Sequence, residues 1–179
     1  MMKKLLFLIL VASFNVSSAD QAITQWVYNT LERAQANLDK GNIDAAEKIY
    51  YDYANDTWSS RSYDHFVILR TYAYFLLSND RNEEALRYLK QASLKRDMPP
   101  YDIFELHFTL GQVYYVTGDR ANAKKTLLKW VQIGEKNKLD LKPEGYAILA
   151  TIYAQDEEWG NALKFITLAI DNSYKFVED

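Results

Sequence analysis

The sequence predicts an all-α chain wound as a right-handed α-solenoid of four helix-turn-helix units. Three observations carry this. Two small residues stand twelve apart four times over, as Ala34 and Ala46, Ala73 and Ala85, Gly111 and Ala123, Ala150 and Ala162. The second member of each pair recurs at a nearly constant step, and a fixed period of roughly 40 residues is the mark of a stacked-repeat architecture. Between the two members every copy carries a polar break: Lys40-Gly41-Asn42, Asn79-Asp80-Arg81-Asn82, Gly118-Asp119-Arg120 and Asp156-Glu157-Glu158.

The apolar residues ride on the same frame. Asn37, Leu76, Tyr114 and Tyr153 lie three after the first small residue; Tyr50, Leu89, Leu127 and Ile166 lie four after the second, and Tyr53, Ala92, Trp130 and Ala169 seven after it. Offsets of three, four and seven share one helical face, so each half-unit is an amphipathic helix. The polar breaks are helix stops followed by capping residues. Where the two helices cross closely, a side chain larger than alanine would hold the backbones apart, which explains the small residues. The predicted helices span 22–39, 43–55, 62–78, 82–95, 101–117, 120–137, 143–155 and 159–172, giving repeats over about 22–57, 62–98, 101–137 and 143–172.

Ahead of the repeats, Lys3 and Lys4 precede an uncharged, mostly apolar run from Leu5 to Val16 and then Ser17-Ser18-Ala19. This is the layout of a secretory signal, with cleavage expected after Ala19 and a single domain over 20–179. The apolar run is too short for the roughly 20 residues a spanning helix needs, so no membrane span is expected in the mature form. With no cysteine there is neither a lipid-attachment site nor a disulfide, and stability must come from packing. Loss of Lys3 and Lys4 with the signal makes the formal charge of −3 more negative, which leaves no basic field for nucleic acid.

The small-residue pair, the Gly- or Asp-containing turn and the aromatic at Tyr114 and Tyr153 resemble the tetratricopeptide repeat (TPR) over about residues 22–172. The period here is slightly longer than the one usual in that family. The surplus falls between units, at 55–62, 95–101 and 137–144, where Pro99, Pro100 and Pro143 occur. Arg33 and Asn37 replace apolar residues in repeat 1, as a terminal cap would. A narrower likeness covers Leu110 to Ile170. Leu127-Leu128-Lys129-Trp130, with Trp130 where an alanine is usual, and Pro143 to Ala150 resemble the periplasmic TPR proteins associated with TonB energy-transducing systems. That resemblance implies a Gram-negative periplasm and an accessory role beside a TonB-type complex.

The chain shows no catalytic constellation, so an enzyme is not expected. His65 and His107 each lack a second histidine one turn away, which argues against a metal site, and no cofactor-binding fingerprint occurs. Glu83-Glu84 and Glu157-Glu158 fall at helix starts, where acids complement the helix dipole. Function is therefore expected on a surface. In a solenoid of this kind the first helix of each unit lines a concave groove. Its exposed face projects as Tyr28, Leu31 and Gln35; then Val67, Arg70, Tyr74 and Leu77; then Glu105, Phe108, Gln112 and Tyr115; then Glu144, Ala147, Thr151 and Ala154. Arg70, Tyr74, Glu105, Phe108, Gln112, Tyr115 and Thr151 are the expected contacts to a peptide or helix of another envelope protein. The alternative is that Tyr74, Phe108 and Tyr115 are core. A second route to function is the last helix, where Ile166, Ala169 and Ile170 have no following helix to cover them. That end would serve self-association or docking into a larger envelope assembly such as a pilus, secretion system or motor.

Overall fold

The computed structural model describes residues 22–56 and 62–175. The expected signal sequence and its cleavage point lie outside them. Eight helices follow in order: α1 (Gln25–Asp39), α2 (Ile43–Asn55), α3 (Ser62–Ser78), α4 (Asn82–Ser93), α5 (Pro100–Val116), α6 (Arg120–Asn137), α7 (Pro143–Gln155) and α8 (Trp159–Lys175). Each odd helix packs on the even one after it, and each even helix on the next odd one, which is the stacking of an α-solenoid.

The boundaries have local causes. Helix α1 begins at Gln25, later than the hydrophobic pattern predicts, because the Thr24 hydroxyl accepts from the Val27 amide as an N-cap. Pro100 and Pro143 open α5 and α7, where a missing amide proton costs nothing. All four intra-unit turns share one geometry. Gly41, Asp80, Gly118 and Glu157 occupy the same repeat position and all have φ between 60° and 83°. The following amide reaches back to the carbonyls of Asn37, Leu76, Tyr114 and Tyr153 at 2.8–2.9 Å, closing a Schellman motif each time. The motif imposes the left-handed conformation even on Asp80 and Glu157, where glycine would be less strained.

The small residues sit where the helices cross. Ala34, Ala46, Ala73, Ala85 and Ala123 are fully buried, and a Cβ on Gly111 would stand 2.6 Å from the Leu127 side chain. Between units, the first helix presents a second set of residues to the preceding pair: Ile68, Tyr72 and Phe75 in α3, Leu106, Leu110 and Val113 in α5, Gly145, Leu149 and Ile152 in α7. All are buried. Their counterparts in α1 are Asn29, Arg33 and Ala36, all exposed, so the N-terminal end carries the polar cap that the poor first repeat suggested.

Helix α5 divides the core in two. Leu106, Leu110 and Val113 close a cluster built from α1 to α4, in which Tyr72 meets Tyr88 at 4.6 Å and Tyr50 meets Phe75 at 5.4 Å. Phe104 and Phe108 on its other side belong to a cluster with α6, α7 and α8. Trp130 is the centre of that second cluster. It is 0% exposed, and its rings lie 5.5 Å from Phe104, 5.2 Å from Phe108 and 5.7 Å from Tyr146. Room for the indole comes from the next unit: a Cβ on Gly145 would stand 2.4 Å from the Trp130 ring.

Candidate functional site

The expected groove runs along the odd helices, and what holds those helices together is a polar ladder. At its first rung the Thr24 hydroxyl donates to Asp64 Oδ2 at 2.9 Å, and the Thr24 amide donates to Oδ1 at 3.1 Å. At the second, Asp102 accepts from Arg70 at 2.5 Å and from the Tyr63 hydroxyl at 3.0 Å, tying α3 to α5. Tyr74 and Thr109 approach to 3.4 Å beside it. At the third, Lys142 donates to Glu105 at 2.8 Å while its ammonium lies 4.6 Å over the Phe108 ring, tying α5 to the start of α7.

Asp64 and Asp102 are buried acids at the same register of their units, each nine positions before the first small residue. Their recurrence in otherwise apolar helices is itself a repeat signal in the sequence, but neither lies among the projected groove contacts. Around Arg70, burial works against its charge, but Tyr74 and Asp102 more than offset it and the guanidinium is held above its ordinary pKa. Burial also raises the Tyr74 phenol, so it stays protonated as a hydrogen-bonding group.

This geometry sorts the expected contact residues. Phe108 is 7% exposed, packs on the Trp130 indole and has the Lys142 ammonium over its ring, so it is a core residue and not a groove wall. Val67 and Leu77 are likewise buried in the first cluster. Arg70, Tyr74 and Glu105 do face the odd-helix side, but their polar atoms are engaged by Asp102, Thr109 and Lys142. Gln112 and Tyr115 are half-buried and Thr151 is exposed, its hydroxyl bonded to the Ala147 carbonyl of its own helix. Tyr28 is exposed and bonds Glu32 within α1.

Neither histidine is placed for metal chemistry. His65 Nε2 bonds the Ala54 carbonyl at 3.1 Å and its Nδ1 meets the Lys95 ammonium at 2.9 Å, while His107 Nδ1 bonds the Ile103 carbonyl at 2.8 Å. Among the described residues no three His, Asp or Glu side chains gather into a cluster that could hold a metal ion. Of the paired acids, Glu83 and Glu84 lie in the first turn of α4, where Glu84 bonds Arg81, whereas Glu157 and Glu158 stand in the turn before α8, where Glu158 bonds Lys124 of the preceding unit at 2.7 Å. Burial, first of all, lowers the pKa of both histidines. A folded state that resists protonation loses stability as pH falls below the unfolded value of 6.5. Thermal melts at pH 7.5 and 5.5 are expected to show a lower Tm at the acid end, and His107→Gln should shrink that difference.

No family model and no curated protein matches the chain. Solved structures do. MamA superposes with a TM-score of 0.63 at 17% identity, covering 86% of this chain and 81% of MamA. A Podosopora anserina putative kinesin light chain with nearly identical TPR-like repeats superposes at 0.60 and 18% identity, covering 86% of this chain and 77% of its own. The fold is a TPR-like α-solenoid. The apo form of RapI adds a TM-score of 0.66 at 13% identity, with this chain spanning 60% of its length. None of the described helices is long and apolar enough to cross a membrane.

Proposed function

We propose that this TPR-like solenoid is a non-enzymatic, periplasmic protein-interaction module that binds an extended segment or helix of another envelope protein along its odd-helix face. The polar ladder is the observation that carries the reading. By fixing α1, α3, α5 and α7 side by side, it presents Gln112, Tyr115 and Thr151 on a pre-organised surface, and pre-organisation lowers the ordering cost of binding. The signal-like N-terminus supports export. The likeness of Trp130 and the Pro143 to Ala150 stretch to TonB-associated periplasmic repeats supports a partner within such an energy-transducing complex.

Tyr115→Ala and Phe108→Ala separate surface from core. Tyr115→Ala is expected to weaken capture of the partner by photo-crosslinking in envelope extracts while leaving the thermal melt within error. Phe108→Ala should instead cost about 3–5 kcal/mol of stability. Unchanged crosslinking in Tyr115→Ala, with the protein still folded, would remove this face as the binding surface. Crosslinked partners unrelated to TonB, ExbB or ExbD would leave the module and discard the energy-transduction role.

A further inference from the structure

The formal charge of −3 hides an uneven distribution. On each even helix the positions two, six, nine and thirteen after the second small residue lie opposite the buried face. Along the four helices the exposed charges on this line are Lys48, Arg87, Lys125, Lys129, Lys136 and Lys164 against Asp52 and Asp171. The chain as a whole has 21 bases to 24 acids, so six against two reverses its balance. The position two after the small residue is basic in every unit, as Lys48, Arg87, Lys125 and Lys164, and the repeat thereby carries a row of cations from one end to the other.

The field is strongest on α6. Lys125, Lys129 and Lys136 stand on one line roughly 16 Å long, at about 1.5 Å of rise per residue. All three are exposed, and none makes an ion pair among the described residues. Acids in the first turn, Asp44 of α2 and Glu83 of α4, moderate the charge of the earlier units, but α6 has none there. Lys48 is also answered by Asp52 at 2.8 Å.

We infer that this even-helix ridge, centred on α6, is a peripheral docking surface for a membrane of anionic phospholipid. Its shape is the first reason. Helix α1 touches α3 and α5 touches α7, whereas no even helix approaches the next even one as closely, so the even side is the outer, convex one. A convex ridge can lie on a plane but cannot enclose a segment. The second reason is Leu94, two turns past Arg87 on the same line of α4 and 78% exposed. Its side chain can enter the boundary between headgroups and acyl chains while the lysine stems keep their ammonium groups at the level of the phosphates. Nucleic acid offers such a side chain no apolar layer, and an acidic protein would need a pocket shaped for it. The third reason is the spread of the charge. Bases strung along a ridge suit a surface of many headgroups, each adding a modest attraction, more than they suit one bound phosphate. Docked in this way, the solenoid keeps its odd-helix face turned from the lipid and open to a protein.

The processed protein is expected to co-sediment at low salt with vesicles of phosphatidylglycerol and phosphatidylcholine mixed one to two, and to stay in solution with phosphatidylcholine alone. At about 0.5 M salt, where charges are screened within a few ångström, it should be released. Lys125→Glu with Lys129→Glu should lower the partition coefficient by about tenfold or more, and Leu94→Asn several-fold, each with the circular dichroism melt of the parent. Arg33→Glu with Lys40→Glu makes the same change of charge on unit 1, off the ridge, and should leave the partition nearly unchanged. No co-sedimentation at low salt, or equal binding to both kinds of vesicle, would overturn the proposal. An equal loss in the Arg33 and Lys40 variant would overturn it too, by tracing the attraction to net charge and not to the ridge. A photo-crosslinker at Gln132 that captures an acidic protein, with vesicle binding absent, would assign the ridge to that protein instead.

Discussion

Replacing Trp130 by alanine is expected to destabilise the protein by about 4 kcal/mol, the middle of the range for truncating a buried aromatic. The indole fills the space that α5, α6 and α7 share, and it is lined by Phe104, Phe108, Tyr146 and Gly145. Alanine would leave a cavity that these rigid rings cannot close. The same contact works in reverse. Gly145→Ala would drive a methyl into the indole at a separation no unstrained pair adopts, at a cost of about 1–3 kcal/mol. The two effects share one space and should not add: in Gly145→Ala with Trp130→Ala, the alanine methyl occupies room the indole has left. Trp130→Phe is a useful control. The buried indole N–H has no hydrogen-bond partner among the described residues, so removing it while keeping a ring should cost much less than the alanine change. Urea unfolding followed by circular dichroism measures all four. Additive losses in the double variant would show that Gly145 and Trp130 do not share this contact.

The second large effect concerns the ladder. Asp102→Ala is expected to cost about 3 kcal/mol, because it strands the Arg70 guanidinium in a site only 17% exposed and removes the acceptor of Tyr63. The guanidinium sits 5.2 Å over the Phe66 ring, which cannot replace a carboxylate. Arg70→Met combined with Asp102→Leu should recover much of the loss, since removing both charges removes the desolvation cost along with the pairing. By contrast, Lys124→Ala, which breaks the exposed pairs to Asp156 and Glu158, should change stability by less than about 1 kcal/mol. Denaturant titration of the three variants orders them, and hydrogen exchange would place the Asp102→Ala loss at the α3–α5 contact. A loss no larger than that of Lys124→Ala would show that the ladder is not a structural tie.

The interior of each unit was open to sequence reasoning because it is made of local geometry. A small residue at the crossing, apolar residues at three, four and seven, and a turn closed by a left-handed residue all act within a single unit of chain. Their period therefore set the number of helices and nearly all their ends. The start of α1 and the end of α4 shifted at single caps, Thr24 and Leu94, which a hydrophobic pattern does not register, and α8 runs on to Lys175, past the end at 172 that the pattern predicts.

The candidate groove was only half legible for the opposite reason. Whether a residue on the outer face of an odd helix is groove or core depends on what other helices send across, from the second helix of its own unit and from the next unit, and those lie tens of residues away along the chain. Phe108 looked like an anchor on its own helix and became core because Lys142 and Trp130 arrive from outside that helix. Arg70 looked free and is held by Asp102. The sequence alone determined the repeat, the pairing of helices within its units and the polar cap at one end. Only the tertiary structure decided which outer-face side chains remain available and that the strip from Trp159 to Ile170 on α8 stands uncovered, because burial belongs to pairs of distant helices and not to any one segment.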